Sequence, residues 1–366
     1  MKRPQRLRSK RTSLVPSLRP EAPAANVFLS LLASVQKQVD ARLGAFLESR
    51  VEQAATLGPE VREMVAALGD LSRRGGKRLR PALLMAGFRA ASRRDSSVAL
   101  DAGVALELLQ SYFLIHDDWM DGDLMRRGGP SVHALLARTL RDTHKGAASA
   151  ILAGDYAAAL ALEVLARMPV PRVTGAAVFA AFAEMQLSAV AGQQIDLIGK
   201  ARDIEAAYEL KTGSYTVYGP LRLGAILAGG SPRLLSKLER LSRPLGVGFQ
   251  LRDDLLGAFG DPKQTGKPLG NDLRAGKRTL LLAEALRRAR GKDKAVLTQV
   301  VGNARAKDPA VKKALDVIDS CGARAWVESR VAELAEQARG ELGKGITAEG
   351  NALLEGAISA LTERRA

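Results

Sequence analysis

The stretch from Leu106 to Gly129 constrains this chain most: an apolar run of helical period that ends in a burst of carboxylates and then in Arg126 and Arg127. Leu106, Leu109 and Phe113 recur at helical spacing, and Asp117 continues the Phe113 line with Asp121 one turn further on. The two carboxylates therefore project from one face of one helix. Like charges at that spacing destabilise an isolated helix unless a cation sits between them. Hard oxygen ligands suit Mg²⁺, which takes one or two carboxylates plus substrate phosphates. Arg126 and Arg127 supply a clamp for the same phosphates. A lone acid pair at a helix end reads equally well as a solvated surface of mixed charge.

A second acid-ended helix separates the two readings. In Gly248-Phe-Gln-Leu-Arg-Asp-Asp-Leu-Leu-Gly257, Asp253 and Asp254 close another apolar segment, and the Gly/Pro/Lys-rich stretch from Gly260 to Lys277 follows. Upstream, Arg73-Arg-Gly-Gly-Lys-Arg-Leu-Arg-Pro81 surrounds a glycine pair with positive charge, a loop whose backbone N–H groups can approach an anion closely while Lys77 and Arg80 reach it from the next turn. From Gly75 to Thr279 these features stand in a fixed order: Gly-Gly-Lys-Arg-Leu-Arg-Pro, Asp-Asp-x-x-Asp with Arg-Arg-Gly, Gly154-Asp155, Gly192-Gln-Gln-Ile-Asp196, Lys211-Thr212, Phe249-Gln250 with Asp253-Asp254, and Gly266-Lys267 through Gly276-Lys277. In that order the sequence resembles the trans-isoprenyl diphosphate synthases, or polyprenyl synthetases, of the short-chain farnesyl/geranylgeranyl type.

Alanine and leucine dominate while β-branched and aromatic residues are sparse, which favours an all-α protein. A single cysteine, Cys321, forbids an intrachain disulfide and fits a reducing, cytoplasmic compartment. His116, His133 and His144 lack zinc-ligand spacing. No uninterrupted apolar run approaches the roughly 18 residues of a membrane span, so no integral membrane association is expected. The net charge of +16 is uneven, with seven positive charges and no acid in the first twenty residues. Residues 1–23 read as a disordered basic tail rather than a nucleic-acid arm, and residues 24–366 as the folded domain.

Helical periods place helices over 27–51, 59–73, 81–91, 97–120, 131–140, 145–165, 176–198, 205–227 and 234–259, and resume from Thr279 to the end. Residues 260–276 form a loop suited to closing over a charged ligand, with Lys267 as its first phosphate contact and Asp272 and Lys277 behind it. Asp155, set among alanines, is expected to meet a cation or a backbone donor. Gln186, Gln193 and Asp196 interrupt an apolar face. Where the first acid motif has Asp121 four residues after Asp117, the second has Gly257 four residues after Asp253.

The resemblance implies a single all-α helical bundle of about a dozen helices around a deep central cavity. It implies a homodimer that condenses isopentenyl diphosphate with an allylic diphosphate, and about three Mg²⁺ ions per site, which Mn²⁺ can replace. Asp117, Asp118, Asp121, Lys211 and Asp253 become catalytic, with Asp117, Asp121 and Asp253 as metal ligands. Lys77, Arg80, Arg127 and Gln110 hold isopentenyl diphosphate, and Arg126, Lys211, Thr212, Gln250 and Lys267 the allylic side. Tyr112 and Phe113, five and four residues before Asp117, lie about one turn, roughly 5–6 Å, deeper than the acids. The family sets its chain-length floor there, and two bulky residues look like short-product members, C15 before C20. A class I terpene cyclase, which would not need the Lys77/Arg80 site, and a catalytically silent partner subunit are the competing readings.

Overall fold

The computed structural model describes residues 23–94, 97–199, 203–260 and 270–363. The basic segment up to residue 22 and Lys267 lie outside them. The described residues are almost entirely helical, as the composition predicts. The chain runs through α1 (Pro23–Ala55), α2 (Pro59–Arg73), α3 (Leu79–Ala91) and α4 (Ser97–Met120). A two-stranded hairpin, β1 (Met125–Arg126) and β2 (Gly129–Pro130), leads to α5 (Val132–Leu140), α6 (Thr143–Ala166) and α7 (Arg172–Ile198). Next come α8 (Ile204–Tyr208), a π-helical segment (Glu209–Tyr218), α9 (Gly219–Leu227) and α10 (Pro232–Phe259). The short α11 (Asn271–Arg274) precedes α12 (Leu280–Arg288), α13 (Gly291–Val300), α14 (Asp308–Ser320), α15 (Ala323–Arg339) and α16 (Ala348–Thr362).

α4 is apolar nearly all round and therefore buried, a helix that other helices enclose. It packs against α6 on one side and α3 on the other. One apolar cluster joins α1, α2, α4, α6 and α7; a second joins α1, α3, α9, the first half of α10 and α16. A third gathers α12 to α15 on the second half of α10. The two acid-bearing helices thus anchor different clusters. Caps fix the entries: Ser231 accepts from Leu234 N at 3.2 Å to start α10, and Thr279 from Leu282 N at 3.2 Å to start α12.

One predicted helix, 205–227, is not continuous. Pro220 has no N–H to donate, which frees a carbonyl in the preceding turn, and the chain takes up the slack as the π segment before resuming as α9. Close neighbours hold it there. A side chain at Gly192 of α7 would collide with the Lys211 backbone, and one at Gly246 of α10 with Gly213.

By length and mean hydropathy, α4, α6 and α7 are each apolar enough to cross a membrane, against the expectation from uninterrupted runs. α4 is enclosed by other helices. α6 and α7 instead present Leu152, Leu162, Val173, Leu187 and Val190 at the surface. Asp155 is on that outer side too. Instead of meeting a buried partner it is exposed, and its nearest charge partner is His116 Nε2 at 3.9 Å.

Candidate active site

The Gly75–Arg80 loop owes its position to an arginine the sequence reading passed over. Arg78 is buried, with a left-handed backbone (φ 49°). Its Nε donates to Asp40 at 2.6 Å, its Nη1 pairs with Glu107 of α4, and its Nη2 donates to the Ser72 carbonyl at 2.8 Å. Gln36 Nε2 donates to the Gly76 carbonyl at 2.8 Å. α1 and α4 therefore pin the loop, and Lys77 and Arg80 flank the pin. Arg80 lies over the Tyr215 ring, 4.1 Å from its centroid, and donates to Thr216 Oγ1 at 2.7 Å, while its buried Nε has no acceptor. Tyr215 in turn donates its hydroxyl to Gln110 Oε1 at 3.0 Å. Tyr215 was missed in the sequence because it reaches this site only through the π segment.

The hairpin supplies the remaining arginines. Arg127 and Gly128, its two central residues, both have positive φ (51° and 73°), the left-handed turn that suits the twist of two short strands. Arg74 Nη1 straps the hairpin down through the Arg126 and Pro130 carbonyls, at 3.1 and 2.6 Å. Adjacent residues then face different partners. Arg126 Nε donates to Asp118 Oδ1 at 2.6 Å and Nη2 to Asp123 Oδ2 at 3.1 Å. Burial pushes the Arg127 guanidinium down to about 10, and the charges of Arg78, Arg80 and Arg126 add to this against the pull of Glu107. Arg127 thus sits beside Arg80 in a pocket of excess positive charge.

At the acids, burial rather than an excess of charge sets the shift. Burial pushes Asp117 up to about 6; Lys211 and Arg126 oppose the shift, and the charges of Asp121 and Asp118 add to it. Asp118 does not join Asp117 and Asp121. It is 0 % exposed and turned into the hairpin against Arg126. That geometry makes it a positioning residue for Arg126 rather than a group that meets substrate. Helical rotation puts it there: one position beyond Asp117 is 100° round the axis.

On α10, Asp253 is exposed and Asp254 is buried. Asp254 accepts from the Tyr208 hydroxyl and, at 2.9 Å, from Gln250 Nε2; Gln250 Oε1 accepts from Thr212 Oγ1 at 2.7 Å, and Tyr208 accepts from Leu280 N at 3.0 Å. Burial raises the Asp254 carboxyl to about 7. This chain of bonds ties the π segment, α10 and α12 together. Its donors to Asp254 include Gln250, so Gln250 serves it as well as any ligand. Lys211 pairs with Asp196 of α7, and Gln193 Oε1 is buried with no donor. The cavity beside them is small, about 40 Å³, lined by Asp196, Tyr208, Lys211, Thr212, Gln250 and Lys277. A larger one, about 620 Å³, opens on the other side of α10 against α15 and α16, lined by none of the predicted site residues.

Below the acids, the Phe113 ring is buried against Tyr215 (centroids 4.8 Å apart) and Tyr112 (4.9 Å). Tyr112 also meets the His116 ring edge-on at 4.7 Å, and His116 Nε2 lies 3.1 Å from the Ile151 carbonyl. His116 is a packing residue between α4 and α6.

Among the described residues no three acidic, histidine or cysteine side chains converge enough to hold a metal ion unaided. The donor set nevertheless fits Mg²⁺. Asp117 and Asp121 offer hard oxygens one turn apart at the end of α4, and Mg²⁺ commonly completes its octahedron with substrate phosphates and water.

The Polyprenyl synthetase family profile matches residues 61–318. A geranylfarnesyl diphosphate synthase of Aeropyrum pernix is 32% identical over 311 residues, 80% of this chain and 92% of that protein. A (2E,6E)-farnesyl diphosphate synthase of Mycobacterium bovis is 33% identical over 295 residues, 76% of this chain and 79% of that protein. The crystal structure of a geranylgeranyl pyrophosphate synthase from Corynebacterium glutamicum, complexed with isoprenyl diphosphate and magnesium, superposes with a TM-score of 0.84 at 35% identity, covering 91% of this chain and 99% of that one.

Proposed function

The chain belongs to the polyprenyl synthetase family and is a prenyltransferase; on that premise we propose that it joins isopentenyl diphosphate to dimethylallyl or geranyl diphosphate and releases farnesyl diphosphate, C15. One observation carries this reading: two adjoining clusters of opposite charge, carboxylates around the partly buried Asp117 with Asp121 one turn on, and partly buried arginines around Arg127 and Arg80. A metal-bound allylic diphosphate and a second, metal-free diphosphate would complement both.

In the reaction the allylic C–O bond breaks with its electron pair leaving on diphosphate, and the double bond of isopentenyl diphosphate supplies the electrons of the new C–C bond. Diphosphate then takes the proton that the product sheds. Asp117, Asp121 and Asp253 are the residues that would hold Mg²⁺, which when bound would supply positive charge against the departing diphosphate. Lys211, freed from Asp196, and Arg126, steadied by Asp118, add to that charge where it develops. Lys77, Arg80, Gln110 and Arg127 hold the second diphosphate, with Tyr215 orienting Gln110 and supporting Arg80. The Phe113 and Tyr112 rings wall the end of the apolar channel and exclude water from the cation. The C20 product is the alternative, favoured by the likeness to a geranylgeranyl synthase.

A homodimer through α6 and α7 is supported by their exposed apolar side chains, Leu187 at 71% and Leu152 at 59% among them. The cytoplasm is the proposed compartment, supported by the lone Cys321.

The test is pyrophosphate release by the purified full chain from isopentenyl and geranyl diphosphates, with chromatography of the dephosphorylated product. Activity should require Mg²⁺ or Mn²⁺, and Asp117→Ala, Asp121→Ala and Asp253→Ala should each lower kcat by about 10²-fold or more with the fold intact. Release from geranyl diphosphate alone would identify a cyclase, and no release at all a silent subunit.

A further inference from the structure

We infer that Asp272 supplies the second carboxylate of the α10 acid site, occupying the space that Gly257 leaves open one turn after Asp253. The two acid helices of this chain differ in one respect. α4 carries a carboxylate at both i and i+4, Asp117 and Asp121, whereas α10 carries Asp253 and then Gly257. A Cβ built on Gly257 would lie 2.8 Å from Asp272 Oδ2 and 3.7 Å from Asp272 Cγ, with no other contact recorded. The volume a side chain at 257 would enter therefore already holds a carboxylate oxygen delivered from α11.

That oxygen is positioned by backbone built for it. The Asp272 carbonyl accepts from Lys277 N at 2.9 Å, and the Leu273 carbonyl accepts from Gly276 N at 3.0 Å and from Gly302 N at 2.9 Å. Leu273 is buried in the third apolar cluster, and Arg274 ties α11 to the Ala306 carbonyl at 3.0 Å and to Asp308 at 2.5 Å. The result is a rigid turn, with Asp272 half-buried at its α10 edge. Lys277 shares the neighbourhood, within electrostatic reach of Asp254, Asp272, Asp196 and Asp253. Of these, Asp196 is paired with Lys211 and Asp254 is held by Tyr208 and Gln250, which leaves Asp253 and Asp272 as the carboxylates a divalent cation would join beside Lys277.

This assignment rests on the metal-dependent reading above. By spacing alone, Gly257→Asp gives α10 the i and i+4 acid pair that α4 has. In the structure it brings a second carboxylate against Asp272 Oδ2, so Asp272 must shift from its place and the two like charges compete for one position.

Calorimetric titration of Mg²⁺ into the full chain saturated with inorganic pyrophosphate reads this without turnover. Asp253→Ala reports on the underlying reading: unchanged Mg²⁺ affinity there would refute a metal site on α10 altogether. With that control weakened, Asp272→Asn and Asp272→Ala should each lower Mg²⁺ affinity about tenfold or more. Gly257→Asp should lower both affinity and Tm. The Gly257→Asp/Asp272→Ala double variant should recover affinity to within about threefold of the parent, the non-additivity expected of two side chains competing for one place. Parental affinity in both Asp272 variants, or a double variant no better than Asp272→Ala alone, would overturn the assignment. If Asp272→Ala fails to fold, Asp272→Asn, which keeps the shape and loses the charge, decides.

Discussion

Arg127 combines a backbone conformation that a non-glycine residue resists, at about 1 kcal/mol or more, with a guanidinium made less basic by burial. Such strain is kept where it positions a group for use. Arg127→Gly should therefore leave Tm unchanged or slightly higher while raising KM for isopentenyl diphosphate about 10- to 100-fold, the worth of a hydrogen bond to a charged group. Lys77→Ala should do the same to KM, with smaller effects on the allylic substrate in both; the reverse ranking in steady-state kinetics would swap the two sites. Asp117 yields a prediction in pH. Its folded value of about 6 stands above the ordinary 3.8, so the folded state binds the extra proton. The stability this contributes is fully present below 3.8 and is lost as pH rises through 6. Thermal melts of the metal-free protein should show that loss between pH 4 and 7, and Asp117→Asn should lack this part of it while keeping the part due to Asp254, which extends to about 7.

Among the elements, α4 is the one that defines the product in the proposed reading. Phe113 sits on the Asp117 line one turn deeper, packed on Tyr215, and Tyr112 packs beside it. Phe113→Ala, and more so Tyr112→Ala/Phe113→Ala, should lengthen products by one or more five-carbon units while the first condensation persists. An unchanged length distribution would return both rings to the core. α4 was legible in the sequence to the residue, because its apolar run and acid end are local patterns. The places of Asp117, Asp121 and Asp253 near helix ends were legible for the same reason. The π segment was not: its cause is Pro220 together with backbones of α7 and α10 that arrive from elsewhere in the chain. Tyr208, Tyr215 and Glu107 were likewise invisible, since each matters through a partner between 29 and 105 positions away. Asp118 looked like its neighbours because a motif lists residues, and only the helix surface sorts them by direction.

At the scale of the whole molecule, α6 and α7 present an apolar face whose exposure would be costly to leave in water. In the proposed homodimer that face is covered, so Leu152→Glu/Leu187→Glu should shift the chain from dimer to monomer in sedimentation equilibrium. A parent that is monomeric, or that floats with lipid vesicles instead, would give the face another use. The hairpin sets a different global constraint. Arg126 and Arg127 are consecutive, yet one turns to the acids through Asp118 and the other to the Arg80 pocket. Surface turns ordinarily absorb insertions and deletions with little consequence. Here the two-residue turn between β1 and β2 sets where Arg127 points relative to Arg126, so in the proposed reading its length is part of the site: a residue added or lost moves Arg127 away from the Arg80 pocket, and descendants of this chain can vary the turn's composition far more freely than its size.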